Sequence, residues 1–126
     1  MAQTERERKT QEKTMRIVRK YHGYVYKNAQ SMYTEKGRPD LTACVPAKLS
    51  TLIDMFGEDA TVGIFVGIEM KRPGALDDVS TAQEIVGRQI RKAKGLWFAI
   101  DDPDVVEVLM SKLTRGIVDE ESGNNI

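Results

Sequence analysis

Three side chains in this sequence have types and spacings suited to joint chemistry: Asp40, Glu69 and Lys71. Around the last two, Ile64, Val66, Ile68 and Met70 alternate with Phe65, Gly67, Glu69 and Lys71. That is the period of a strand, and side chains two apart in a strand share a face, so Glu69 and Lys71 point the same way. Both faces are largely apolar, which predicts a central strand from Val62 to Lys71, covered on both sides. A carboxylate and an ammonium at the end of such a strand are costly to desolvate unless they pair or bind something. The second carboxylate follows a proline, in Gly37-Arg38-Pro39-Asp40-Leu41. Pro39 has a fixed φ and no N–H, so it belongs at a strand start, which places Asp40 near a sheet end. Two carboxylates beside one ammonium suit a hard divalent cation, and they suit a structural ion pair as well.

The elements that must position these groups can be read in chain order. Residues 4–22 predict a helix with a narrow apolar stripe of Met15, Val18 and Tyr21, Ile17 lying at its edge. At about 100° per residue, Glu7, Gln11 and Thr14 continue that stripe toward the N-terminus, so Glu7 is expected to face the protein while Glu5 and Glu12 face solvent. First-turn stabilisation of the helix dipole would equally account for Glu7. Gly23 stops the helix, Tyr24–Lys27 reads as a short strand, and 28–36 as a polar loop. The second strand begins after Pro39. Leu49, Leu52, Ile53 and Phe56 sit at helical spacing ahead of Gly57, which predicts a short helix inserted between strands. Ser80-Thr81-Ala82-Gln83 has the spacing of a capping box that opens a helix running to about Lys94, with Val86, Ile90 and Ala93 inward. Leu96–Ile100 reads as a buried strand. Asp102 and Pro103 read as the cap and first residue of a last helix over 105–113. The expected order is α-β-β-(α)-β-α-β-α: an α/β fold with one mixed sheet flanked by helices.

Composition bounds the possibilities. The chain has 126 residues, 40% hydrophobic and 30% charged, which fits one globular domain. No apolar run approaches the length of a membrane span, no signal-peptide pattern is present, and a cytoplasmic setting is expected. A single cysteine, Cys44, excludes an internal disulfide and a zinc ribbon, and a single histidine, His22, argues against histidine-centred hydrolysis. The net charge is zero but unevenly spread. Residues 1–27 carry eight bases against three acids, and residues 101–126 carry seven acids against two bases. A basic front and an acidic tail suit a protein with one anion-facing side, although ordinary solvated helix faces would give the same tally.

Taken together, these pieces resemble the PD-(D/E)xK nuclease superfamily, and within it the small stand-alone VRR-NUC domain of phages and bacteria. The resemblance rests on Glu7-xxx-Gln11, Gly37-Arg38-Pro39-Asp40-Leu41, Gly67-Ile68-Glu69-Met70-Lys71-Arg72-Pro73-Gly74, Ser80-Thr81-Ala82-Gln83 and the strand after Lys94-Gly95, in the family's order. It covers a core of about residues 5–113, with 46–61 as an insertion and 116–126 as a flexible acidic tail. Met70 stands where valine or isoleucine is usual.

The resemblance implies a restriction-endonuclease-like core and magnesium-dependent hydrolysis of DNA phosphodiester bonds, with manganese able to substitute. Asp40 and Glu69 would be metal ligands, joined by the carbonyl of Met70 and by Glu7 from the first helix. Lys71 would orient and help deprotonate the attacking water, or stabilise the pentacovalent phosphorus. Gln83 would position Lys71 or a phosphate, a role that can coexist with capping. Arg38, Arg72, Lys27 and Lys36 would contact DNA phosphates, with Arg16, Arg19 and Lys20 as second choices. Asn28, Gln30 and Tyr33 would reach sugar or bases, while Tyr24 and Trp97 belong to the core. A homodimer cutting branched, junction-like DNA is expected. The alternatives are a nuclease fold that only binds DNA or a partner, and a restriction-type or flap nuclease.

Overall fold

The structure, a computed structural model, describes residues 4–33 and 35–117. The first helix, α1 (Glu5–Lys20), starts at Thr4, whose hydroxyl accepts a hydrogen bond from the Glu7 N–H (3.1 Å). It ends in a turn through His22, and Gly23 follows because the backbone there passes against Val18, leaving no room for a Cβ. Strand β1 (Tyr24–Lys27) pairs antiparallel with β2 (Leu41–Cys44) in the register Tyr24 to Cys44 and Lys27 to Leu41. A short helix α2 (Leu49–Phe56) ends at Gly57, and a loop leads to β3 (Val66–Met70). After a single 3₁₀ turn at Leu76–Asp78 come α3 (Thr81–Lys92), β4 (Leu96–Ile100) and α4 (Pro103–Leu113). Strands β3 and β4 pair in parallel, Val66 with Leu96 and Met70 with Ile100, with α3 as their crossover.

The element order matches expectation; the sheet does not. Among the described residues the strands form two separate two-stranded ladders, one antiparallel and one parallel, rather than one mixed sheet. The fold is therefore mixed α/β with small sheets. The predicted strand from Val62 is also shorter, because a strand is only as long as its partner. Leu96 donates to the Phe65 carbonyl (3.0 Å), and β4 begins only there, after the Gly95 turn. Residues 62–64 have no ladder beside them.

Burial corrects the expectation of two covered faces. Gly67 and Gly87 form a groove that takes the Trp97 indole, so α3 packs tightly on one face. On the other face, Ile68 is 41% and Met70 50% exposed. The tight approach at Gly87 also shifts the inner side of α3: Gly87 and Ile90 are buried, whereas Val86 is exposed. The core comprises Val25, Cys44, Ala75, Ile90, Ala93 and Ile100. The two ladders meet where the Cys44 thiol lies against Gly95 and donates to the Ala93 carbonyl (3.6 Å). Burial raises the Cys44 thiol pKa, partly offset by a hydrogen bond with the Gly95 backbone. On α1, Gln11, Met15 and Val18 are half-buried, but Tyr21 is 64% exposed and so leaves the predicted stripe. Most of the predicted acidic tail, residues 118–126, lies outside the described residues.

Candidate functional site

The C-terminal ends of two parallel strands and the N-terminus of their crossover helix meet at one place. In α/β architecture such a place commonly holds a ligand. Glu69 and Lys71 project from β3 onto the α3 side, as their spacing requires, with Lys71 Nζ 3.5 Å from Glu69 Oε1. Their side chains are only 29% and 17% exposed. The Lys71 N–H donates to the Ile100 carbonyl (2.8 Å), which carries the ladder one residue beyond β3 and holds the lysine backbone in place.

Gln83 completes this group, and its orientation follows from the capping box. The Ser80 hydroxyl accepts from the Gln83 N–H (3.1 Å), and Gln83 Oε1 accepts from the Ser80 N–H (2.9 Å). With its oxygen so occupied, the amide must aim its nitrogen the other way, and Nε2 donates to Glu69 Oε1 (2.5 Å). Capping and site roles therefore coexist, but the group that Gln83 touches is Glu69, not Lys71. Glu69 Oε1 receives both neighbours, while Oε2 takes no hydrogen bond among the described residues. The Met70 side chain lies on the opposite face, so only its backbone is available to this site.

Asp40 stands immediately before β2, exposed, and its carboxylate makes no hydrogen bond or ion pair among the described residues. Its backbone, however, is firmly placed by a residue whose part the sequence did not disclose. Asn28 is only 6% exposed. Its N–H donates to the Asp40 carbonyl (2.9 Å), and its Nδ2 donates to the Pro39 carbonyl and to Thr42 Oγ1 (2.8 Å each). Its Oδ1 accepts from Arg38 Nη2 (3.2 Å). Asn28 thus positions the Arg38-Pro39-Asp40 turn and is not free to reach sugar or bases. The available signal was its location: one residue past β1, opposite the proline turn.

Glu7 also departs from expectation. It is exposed, and the polar side chain that α1 turns toward the protein is Gln11, one turn further on. Gln11 Oε1 is buried without a hydrogen-bond partner, an acceptor that has lost water and gained no donor. Glu5 and Glu12 both face solvent and pair with Arg8. Lys27, Lys36, Arg38 and Arg72 are all exposed. Asp101, at the end of β4, accepts from the Gly74 N–H (3.0 Å) and so ties down the loop carrying Arg72.

No family model, curated protein or solved structure matches the chain.

The oxygen that Glu69 leaves without a hydrogen bond, Oε2, is of the kind a hard divalent cation takes. Among the described residues no three carboxylate, histidine or cysteine side chains converge closely enough to hold one. Hydrogen bond and ion pair join Glu69, Lys71 and Gln83; among the described residues no such contact ties Asp40 or Glu7 to that group.

Proposed function

We infer that the chain is a metal-dependent endonuclease that hydrolyses DNA phosphodiester bonds, a VRR-NUC-type member of the PD-(D/E)xK superfamily. The observation that carries this reading is the Glu69–Lys71–Gln83 group at the ends of parallel strands, in a chain that also presents Asp40 after Pro39. Magnesium, or manganese in its place, would be held by Asp40, Glu69 and the Met70 carbonyl, without Glu7, and would supply charge neutralisation and an activated water. The side chains of the chain do the rest. Gln83 holds the Glu69 carboxylate in one orientation. Lys71 keeps its ammonium half-shielded beside that carboxylate, where it orients water and offsets negative charge gathering on the phosphate oxygens. Arg38, Arg72, Lys27 and Lys36 supply backbone contacts that carry no sequence information, in keeping with selection of DNA by shape.

A homodimer acting on branched DNA fits the surface of the chain. Ile64, Ile68 and Met70 are exposed, as are Leu49, Ile53 and Phe56 of α2.

The test is cleavage of a labelled four-way junction and a matched linear duplex, with magnesium, manganese or EDTA, by wild type, Lys71→Ala and Gln83→Ala. Metal-dependent cutting, lost in Lys71→Ala and reduced in Gln83→Ala, is expected, with the junction preferred. Tight junction binding without cutting in either metal would favour a binding module and refute the nuclease.

A further inference from the structure

At the far end of α3 from Glu69, roughly 14 Å along the helix, lies a second concavity, a cavity of about 610 Å³. It forms where α1 and α3 both end and β1 begins. Its apolar lining includes Val25 and Ala93, both buried, with Pro46 and the half-buried Tyr24. Its rim carries Arg19, His22, Lys92 and Lys94, and no carboxylate lines it. Arg19, Lys92 and Lys94 enter no salt bridge among the described residues.

The bland explanation for cations here is compensation of two helix C-termini, each worth about half a negative charge. Three full positive charges exceed that sum, so the rim keeps a net positive field of about two charges before histidine is counted. Nor does dipole compensation explain the backbone. His22 and Lys94 are the non-glycine residues with left-handed φ among those described, at 69° and 74°, and both line this cavity. Each occupies the position after a helix end where glycine is the unstrained choice. In each case the glycine comes one residue later, where close contact leaves no room for a side chain: Gly23 against Val18, Gly95 against Cys44. Two strained positions thus hold basic side chains at the same rim.

We propose that this cavity binds a nucleotide through its phosphate, the Arg19, Lys92 and Lys94 side chains meeting the phosphate and Tyr24 meeting the base. The volume lies within the range of small-ligand sites and far exceeds the need of inorganic phosphate alone. The base-binding surface is apolar and aromatic, which an acidic peptide would not use. The nucleotide is either free or one unit of a strand, and the site lies apart from the proposed site of hydrolysis.

The experiment uses the full chain in EDTA, so that cleavage plays no part. Backbone amide NMR shifts are followed on titration with deoxyadenosine monophosphate, with deoxyadenosine, with a short single-stranded oligonucleotide and with an acidic peptide. Wild type is compared with Lys94→Gly, which removes one charge and relieves the strained φ. The monophosphate is expected to shift amides 22–25 and 92–95, and the nucleoside much less. In Lys94→Gly the affinity should fall at least about three-fold, one rim charge, while Tm rises. Tighter binding of the oligonucleotide than of the monophosphate identifies a strand as the source; equal or weaker binding identifies the free nucleotide. Absence of shifts at these amides up to about 10 mM, undiminished affinity in the better-folded Lys94→Gly, or preference for the peptide would each overturn the proposal.

Discussion

Asn28 is the residue whose removal separates placement of Asp40 from its chemistry. Asn28→Ala deletes two donated hydrogen bonds of 2.8 Å and one accepted bond of 3.2 Å, while the backbone bond to Asp40 survives. A net hydrogen bond contributes about 1 kcal/mol. The Pro39 carbonyl belongs to an exposed residue and regains water, and Arg38 is exposed too, so part of the loss is recovered. Thr42 is half-buried and loses its partner without compensation. The balance is a destabilisation of about 2 kcal/mol. For a chain of this size that is a fall in Tm of about 6–12 °C, read by circular dichroism. The same change frees the turn before β2, and a displacement of about 1 Å at a reacting centre lowers turnover about 100-fold. Cleavage assayed well below the new Tm should therefore fall by one to two orders of magnitude. Unchanged Tm together with wild-type cleavage would refute the assignment of Asn28 as the residue that positions Asp40.

Gly87→Ala tests the groove under Trp97: helix propensity favours alanine by about 1 kcal/mol, but the new Cβ would sit 2.6 Å from the indole, and overpacking costs about 1–3 kcal/mol. A lower Tm is expected, and a higher one would show that the indole yields. Alkaline titration tests the buried end of the molecule. Burial raises the Cys44 thiol above its ordinary 9.0, and burial followed by the neighbouring Tyr26 raises the Tyr24 phenol above its ordinary 10.0. A folded pKa above the unfolded one gives stability that is intact below the unfolded value and lost as pH rises through the folded one. Urea midpoints should hold from neutrality to about pH 9 and decline above it, and a midpoint that rises there would contradict the burial of both groups. Finally, Ile68→Asp should dissociate the proposed dimer, measured by sedimentation, and remove any dependence of Tm on concentration. Wild type sedimenting as a monomer at about 100 μM would remove the case for a dimer.

Local signals were legible in the sequence wherever one stretch of chain decides the outcome. Ser80 and Gln83 form the box that their spacing announces, Asp102 caps the helix opened by Pro103, and β2 begins just past Pro39. Glu69 and Lys71 share a face because a strand has period two, and that holds whatever lies beside it. What depended on a second stretch was not legible. The length of β3 is set by β4, and the exposure of Ile68 by the absence of a covering element among the described residues. Apolar residues on a strand announce that a face wants cover, not that this chain supplies it. Gln11 rather than Glu7 is half-buried on α1, and which of two residues one turn apart faces inward depends on the strand β1 that packs against the helix. Asn28 read as a loop residue because its partners lie 10 to 14 positions away.

The groove that Gly67 and Gly87 leave for Trp97 has one more consequence. The indole is the sole tryptophan of the chain, clasped between β3, which bears Glu69 and Lys71, and α3, which bears Gln83. The Arg91 guanidinium stands over its ring at 5.3 Å and donates to its carbonyl. Any parting of helix from strand wets that ring and moves it from the cation. The intrinsic fluorescence of the protein is thus a single-site gauge of the joint on which the site is built, readable without a label as cation, nucleotide or DNA is added.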